Sequence, residues 1–232
     1  MIYEDEYAEE SVENGDFDIA IPFRLTLEDG HEPEITVFPS LKRIAEEFCE
    51  KFRSADEIFT TEAIEWVRER VKPFMLERMF ALSDEGRDYF ENYRLNSIDE
   101  SLILPSSQFI GRIGELENLT GYDFDAMSEY GHICVGTVLD GKIVSAACTN
   151  YPCDLDEPDE LSFEIGVETA EGYRGRGFAA SNCAMLASAL LSKGRDVLYE
   201  CESKNEGSVR LIKKLGGQRF AKNFCVVAEK IG

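Results

Sequence analysis

The chain has few of the residues that build metal sites and disulfide frameworks. Among its 232 residues are two histidines, His31 and His132, and no Cys-x-x-Cys pair, so we predict no bound metal. Its seven cysteines are an odd number among apolar neighbours, as expected of reduced thiols in a cytoplasmic protein. No apolar run approaches the roughly 20 residues that cross a bilayer. The acidic start lacks the apolar core of a secretory signal.

Positive charge is also scarce. The chain has 24 lysines and arginines against 46 aspartates and glutamates, a net charge of −22. Such a field repels nucleic acids and anionic membranes, so we expect neither as a partner. It could concentrate a cationic ligand, although solubility is the commoner consequence of an acidic surface. An anionic ligand would need a local basic patch, and Arg174 and Arg176 supply one.

The first 90 residues predict an acidic segment with a strand pair and helices. Residues 1–18 contain eight acidic and no basic side chains and predict a frayed tail. Apolar and polar residues then alternate on both sides of Asp29-Gly30, which predicts two paired strands.

Two amphipathic helices are predicted next, over residues 39–54 and 60–83. Ser40 is the expected N-cap of the first helix, because its hydroxyl can accept an early backbone N–H. Pro73 is expected to kink or split the second helix.

The remainder of the chain predicts a mixed α/β sheet. Asp140-Gly141 lies between two alternating apolar runs and predicts a tight hairpin. A strand–helix–strand–helix–strand series follows it, so the sheet cannot be all-parallel. Further predictions are a short strand over 93–99, short helices over 105–119 and 123–131, and an acidic loop over 153–160.

The stretch GYRGRGFAAS, residues 172–181, has the composition of a phosphate-binding loop, and two designs compete for it. In the first, Gly175, Gly177 and Ala180 form a dinucleotide fingerprint. Glu200 in the next strand would then bind the ribose hydroxyls. The long connection from the preceding strand, the hairpin upstream and the short remainder of the chain weigh against this design.

In the second design, the first backbone N–H groups of a helix point at the ligand. They lack intrahelical partners and the helix dipole favours an anion there. Small residues at 175, 177 and 179 would let two phosphates approach the backbone. The pattern Arg174-x-x-Gly177-x-Ala179 resembles the pyrophosphate loop of the GNAT superfamily, the acyl-CoA-dependent N-acetyltransferases.

Neighbouring segments carry the same resemblance. EIGVETAEGYRGRG (164–177) is similar to the fourth strand and loop of a GNAT branch. YECESKNEGSVRLIKKLGG (199–217) is similar to the fifth strand and fourth helix of the family. GHICVGTVLDGKIVSAA (131–147) is similar to its second and third strands. The resemblance covers about residues 92–232, from the predicted short strand to the end of the chain.

The resemblance implies an α/β (α+β) fold, with a mixed, mostly antiparallel sheet flanked by helices. It implies a GNAT acetyltransferase domain at 91–232, preceded by an N-terminal α/β extension at 1–90. The extension is expected to pack on the sheet or to shape the acceptor pocket, and it could support a homodimer.

The resemblance also implies acetyl-CoA (coenzyme A) as acyl donor. Its pantetheine arm would lie where the fourth and fifth strands splay, against backbone groups near Val167 and Thr169. Asn205 would bond the pantetheine, although it could equally be a helix N-cap. The pyrophosphate would contact Arg174, Gly175, Arg176, Gly177, Phe178 and Ala179.

The implied reaction is direct attack of a primary amine on the thioester. Glu164 is the expected base and Glu168 the second choice, because side chains two and four apart share a strand face. Many members protonate the thiolate with a helix tyrosine, which is Ile212 here, so Ser208 or Tyr199 would substitute. We expect an N-acetyltransferase of a small-molecule or peptide amine, and the acidic character of the chain favours a cationic one. The alternative is a GNAT-fold CoA-binding module without efficient turnover.

Overall fold

The computed structural model describes residues 1–83, 89–110, 133–149 and 162–232. The predicted helix over 123–131, the predicted loop over 153–160, His132 and Cys153 lie outside the described residues. The chain divides into two compact units. Unit 1 comprises Met1–Glu91, Glu202–Lys204 and Phe220–Gly232, and unit 2 comprises Asn92–Cys201 and Asn205–Arg219.

The described strands and helices are as follows. They are β1 (Ile2–Glu4), α1 (Glu6–Asn14), β2 (Ile19–Glu28), β3 (Glu34–Val37), α2 (Lys42–Lys51), α3 (Ala55–Ile58), α4 (Thr61–Glu77), β4 (Phe80–Leu82), β5 (Tyr89–Leu95), β6 (Ser107–Ile110), β7 (Cys134–Leu139), β8 (Lys142–Thr149), β9 (Ser162–Thr169), α5 (Phe178–Ser192), β10 (Asp196–Glu202), α6 (Glu206–Lys214) and β11 (Gln218–Lys230).

Unit 1 is built on a sheet with the strand order β1-β3-β2-β11, and β4 pairs with β11 as well. The predicted strand pair around Asp29-Gly30 is confirmed, because β2 and β3 pair antiparallel. The core between this sheet and the helices is rich in aromatic rings. Phe23 of β2 lies 5.7 Å from Phe48 of α2 and 6.4 Å from Phe224 of β11, measured between ring centroids.

The predicted frayed tail at residues 1–18 is wrong. Strand β1 pairs in parallel with β3, and helix α1 follows it directly. The Asp5 carboxylate caps α1 by accepting the Ala8 N–H at 2.9 Å, and Gly15 ends the helix in the left-handed region. Local capping and a strand partner 33 residues away therefore order a segment whose composition suggests disorder.

Two predicted helix features also differ. Ser40 does not cap α2, because it lies in a 3-10 turn before the helix, and its N–H donates instead to Glu9 Oε2 at 3.0 Å. Pro73 does not split α4, which runs unbroken from Thr61 to Glu77. Val71 and Met75 are fully buried on either side of Pro73, and this packing offsets the one missing backbone hydrogen bond.

Unit 2 contains a second strand series in the order β5-β10-β9-β8-β7-β6. The β6-β7, β7-β8 and β8-β9 pairs are antiparallel and the β9-β10 pair is parallel, so the mixed, mostly antiparallel GNAT-type sheet is confirmed. The hairpin prediction is also confirmed, with Asp140 at φ 53° and Gly141 at φ 76°. Helices α5 and α6 pack on one face through Leu186 and Ile212.

The helix predicted over 105–119 is wrong where the structure describes it. Residues 107–110 form β6, which pairs with β7 from Ser107 opposite Thr137 to Ile110 opposite Cys134. The rest of that predicted helix lies outside the described residues. In the described part of the chain, no helix is long and apolar enough to cross a membrane.

The ordered N-terminus leads to a first prediction. Asp5→Ala removes the α1 cap and should lower the free energy of unfolding by about 0.5–2 kcal/mol. Asp16→Ala removes the same charge from an exposed residue outside the helix and is the matched control. Urea denaturation of both variants measures the effect, and equal stability of the two would show that the cap is not formed.

Candidate active site

The central feature of unit 2 is a gap in the sheet. Strands β9 and β10 pair only through their first three residues, and the last pair is Glu164 with Leu198. Beyond it β9 continues to Thr169, paired with β8 on its other side, and β10 continues to Glu202. Among the described residues, no β9–β10 ladder pair follows Glu164, so this edge of β9 borders a gap between the two strands.

The loop after β9 ends in an open helix N-terminus. Gly177 is the N-cap of α5 at φ 85°, and having no side chain it caps none of the first N–H groups. Phe178 and Ala179 are half-buried, and their N–H groups precede the first intrahelical bond. That bond runs from the Ser181 N–H to the Gly177 carbonyl at 3.0 Å. An uncapped helix N-terminus of this kind can bind an anion.

The glycines of this loop are required by conformation and not by crowding. Gly175 has φ 75° and Gly177 has φ 85°, in the region that L-residues rarely adopt. A Cβ at Gly175 would meet no atom within 4 Å, and one at Gly177 would lie 3.9 Å from Leu104. The left-handed turns aim the loop backbone while leaving the space above it open.

Arg174 and Arg176 are exposed, and each donates a hydrogen bond to a nearby backbone carbonyl. Arg174 donates from Nε to the Thr169 carbonyl at 3.1 Å, so it is anchored to the end of β9. Arg176 donates to the Gly172 carbonyl at 3.4 Å and lies 5.1 Å from the centroid of the Tyr173 ring. Both guanidinium groups supply positive charge next to the open N–H groups.

A buried polar cluster beneath the loop was not predicted. Asn182 and Ser181 of α5, Thr137 of β7 and Ser145 of β8 have no exposed surface, and Ser107 of β6 is nearly buried. Asn182 accepts hydrogen bonds from Ser107 at 2.6 Å and Thr137 at 3.1 Å, and donates to the Ser145 carbonyl at 3.1 Å. The sequence signal was an asparagine inside an otherwise apolar helix.

The candidate bases lie on one face of β9. Phe163 and Ile165 are buried in the core beneath α5, so Glu164 and Glu168 face the other way by strand alternation. Both carboxylate residues are half-buried. Glu164 occupies the last paired position of the strand and therefore stands at the apex of the gap.

The candidate proton donors meet on the opposite side of the apex. Tyr199 is the first residue of β10 beyond the last pair, is 3% exposed, and shares a side-chain hydrogen bond with Ser208. Burial, foremost, raises the pKa of Tyr199, and the nearby Glu164 charge raises it further. A phenol that holds its proton so firmly is a hydrogen-bond donor and a poor acid.

Asn205 is the N-cap of α6, which is one of the two roles predicted for it. Its Oδ1 accepts the Ser208 N–H at 3.1 Å at the start of α6. The residue is exposed, and its Nδ2 makes no hydrogen bond with any residue that the structure describes. The cap therefore fixes Ser208 while leaving one amide donor available.

The isoleucine at position 212, where many family members have a tyrosine, is explained by its packing. Ile212 is fully buried in the unit 2 core. A Cβ at Gly217 would lie 2.5 Å from Ile212 Cγ1 and 3.0 Å from its carbonyl oxygen, so only glycine fits there. Ile212, at the position where many family members have a tyrosine, is therefore packed directly against Gly217.

Metal ligands do not cluster in the described part of the chain. No group of three or more His, Cys, Asp or Glu side chains that could hold a metal ion occurs among residues 1–83, 89–110, 133–149 and 162–232. The polar groups around the gap are instead hydroxyls, amides and single carboxylates.

The fold and this site correspond to a known family. The model of the GNAT acetyltransferase family matches residues 20–223, which is most of the chain. The chain therefore belongs to the GNAT acetyltransferase family. The match begins well before the motifs quoted above, within the first 90 residues. No curated protein matches the sequence.

Solved structures of the same family are similar in fold. An acetyltransferase of the GNAT family from Colwellia psychrerythraea is 15% identical and has a TM-score of 0.46, with 89% of this chain and 81% of that one covered. A GCN5-related N-acetyltransferase-like protein from Streptococcus suis is 18% identical, with a TM-score of 0.44 and coverage of 72% and 68%. A GCN5-related N-acetyltransferase from Kribbella flavida is 15% identical, with a TM-score of 0.44 and coverage of 73% and 74%.

The burial of Tyr199 makes stability depend on pH. Because its pKa is raised above 10.0 in the folded state, the unfolded chain loses this proton first as the pH rises through 10. The contribution of Tyr199 to stability should then fall by up to about 1.4 kcal/mol per pH unit. Denaturant titrations of wild type and Tyr199→Phe between pH 9 and pH 11 should show their stability difference shifting in favour of the variant.

The effects of groups that titrate in both proteins cancel in the stability difference. The loss of the Ser208 hydrogen bond changes that difference by the same amount at every pH. Tyr7→Phe removes a hydroxyl from a ring that is 73% exposed and serves as the control. A difference that stays constant over the pH range would contradict the burial of Tyr199.

Proposed function

We propose that this protein is an acetyl-CoA-dependent N-acetyltransferase that transfers an acetyl group directly to a primary amine of a small molecule or peptide. One observation carries the proposal: the gap between β9 and β10 begins at a carboxylate, and β9 is joined through the loop at 170–176 to the open N-terminus of α5. A thioester and the pyrophosphate of the same donor could thus be bound by consecutive parts of one segment.

The residues present fit coenzyme A. Gly175 and Gly177 open the loop backbone, and the N–H groups of Phe178 and Ala179 are directed at an anion without a competing side-chain cap. Arg174 adds a positive charge anchored at the β9 end, and Arg176 adds a second. Together these six residues, 174–179, would bind the pyrophosphate.

The pantetheine arm would pair with β9 along the gap. Val167 and Thr169 are half-buried, and their strand pairs with β8 on one side only beyond Glu164. Their backbone groups on the gap side would take the amides of the arm as an added strand would, beside the Arg174 Nε that the Thr169 carbonyl already accepts. Backbone N–H groups at the same edge would polarise the thioester carbonyl.

The reaction forms a C–N bond and breaks a C–S bond. The amine lone pair attacks the thioester carbon, and the electron pair of the C–S bond leaves with sulfur. Glu164, at the apex of the gap, would take the proton from the amine directly or through one water. Water then returns a proton to the thiolate, so that the products are an amide and free thiol.

Ser208 would stabilise the leaving sulfur. The Tyr199 phenol keeps its proton and can donate it in a hydrogen bond to Ser208 Oγ. The Ser208 hydroxyl is then free to donate its own hydrogen towards the gap. Ser208 is also fixed through its N–H by Asn205, whose second amide donor remains available for the pantetheine.

The acidic character of the chain favours a cationic acceptor. Glu164 and Glu168 share one face of β9, and the net charge is −22. The proposed acceptor class is therefore a small amine that carries a further positive charge, or a basic peptide.

A second candidate is a module that binds CoA without efficient turnover. It is favoured by Ile212, which is buried in the core and cannot act as a proton donor. The two candidates share the donor site and differ in chemistry, so binding and turnover must be measured separately.

Binding of the donor is the first test. Calorimetric titration should show that wild type binds acetyl-CoA, that NAD gives no heat, and that Arg174→Ala weakens acetyl-CoA binding roughly tenfold, as for one lost charge-assisted hydrogen bond. Arg43→Ala removes the same charge from an exposed helix of unit 1 and is the matched control. Heat with NAD alone, unaffected by Arg174→Ala, would support the dinucleotide design instead.

Turnover is the second test. Free thiol release should be followed with a panel of primary amines, polyamines and basic peptides. Glu164→Gln should lower kcat by a factor of about 10² to 10⁴ with little change in acetyl-CoA affinity, and Ser208→Ala should lower kcat by a smaller factor. Acetyl-CoA binding without turnover in the wild type would favour the non-catalytic module.

A further inference from the structure

Both ends of the loop after β9 are fastened to one buried residue of the neighbouring strand, Ser145. At the start of the loop, Ser145 Oγ donates to the Glu168 carbonyl at 3.1 Å and lies 2.8 Å from Thr169 Oγ1. At its end, the Ser145 carbonyl accepts the Asn182 Nδ2 hydrogen at 3.1 Å. Residues 170–180, the pyrophosphate loop, are therefore closed at their base by Ser145 and Asn182.

The directions of the hydrogen bonds follow from the donors available. Asn182 Oδ1 can only accept, so Ser107 uses its one hydrogen on it at 2.6 Å. Ser107 Oγ must then accept from Ser181 Oγ, also at 2.6 Å. Ser181 in turn accepts the Leu104 N–H at 2.7 Å. The donors and acceptors of this network therefore have one consistent assignment, and its hydrogen bonds join α5 to β6, β7 and β8.

The first turn of α5 belongs to this network. Ser181 and Asn182 are the fourth and fifth residues of the helix, one turn from the open N–H groups of Phe178 and Ala179. A rotation of α5 about its axis would break the Asn182 bonds and turn those N–H groups away from the loop. Hydrogen-bond donors bind a ligand most strongly when the residues around them hold them in a single position.

We propose that Asn182 and Ser145 are positioning residues for the pyrophosphate site, one for each end of the loop. This inference rests on the proposed function, because it concerns the same donor site. A positioning role differs from a purely structural role in one respect. Loss of either residue should weaken the binding only of acetyl donors that contain pyrophosphate.

Two variants each remove the side-chain hydrogen bonds at one end of the loop. Asn182→Leu removes the side chain that ties α5 to Ser145 and fills much of the same volume. Ser145→Ala keeps the carbonyl that Asn182 uses and removes only the hydroxyl bound to Glu168 and Thr169. Ser11→Ala is the control, because it removes a buried hydroxyl from α1 of unit 1 that contributes no atom to this network.

Affinity is measured by calorimetry with CoA and turnover with acetyl-CoA and S-acetylpantetheine, which lacks the pyrophosphate. We expect Asn182→Leu and Ser145→Ala to weaken CoA binding and raise KM for acetyl-CoA on the order of tenfold, the equivalent of one charge-assisted hydrogen bond. With S-acetylpantetheine both variants should lose much less activity than with acetyl-CoA, and Ser11→Ala should match the wild type with both donors.

Unchanged CoA affinity in both variants would overturn the positioning role while leaving the proposed function intact. An equal loss with both donors would assign the network to folding alone. If Asn182→Leu fails to fold, the result with Ser145→Ala alone tests the positioning role, because that variant loses only one hydroxyl group. Absence of CoA binding by the wild type would instead refute the donor site itself, and the positioning role with it.

Discussion

The end of pairing between β9 and β10 is the constraint from which the rest of the site follows. The two parallel strands stop pairing with each other after Glu164 and Leu198, which opens a gap between them within the sheet. Backbone groups along such a gap need other partners, because a buried backbone polar group without a hydrogen bond is costly. The strand edge facing the gap, the carboxylate at its apex and the Tyr199–Ser208 pair all occupy positions defined by that one interruption.

The loop after β9 bears on a second question, which is how an acidic protein could bind an anion. With a net charge of −22, long-range repulsion opposes any phosphate. The proposed site would therefore depend on short-range interactions: backbone N–H groups of α5, positive φ angles in the loop, and Arg174 hydrogen-bonded to the end of β9. The buried polar cluster joins α5 to the neighbouring strands through hydrogen bonds.

Features encoded within a few residues could be predicted from the sequence. Asp140-Gly141 identified the hairpin because only certain residues accept positive φ, and Gly177 marked the start of α5 for the same reason. Features that depend on distant partners could not. The N-terminal helix and strand owe their order to β3, and the network around Asn182 joins residues from four elements. Ser40 shows the same limit, since its N–H is taken by Glu9 from another helix.

The contact between Ile212 and Gly217 restricts how the sequence can vary. The isoleucine fills the space that a side chain at 217 would need, and the glycine has no side chain to displace it. A larger residue at 217 therefore meets a clash unless the residue at 212 moves or becomes smaller. Which residues are tolerated at 217 thus depends on the residue at 212.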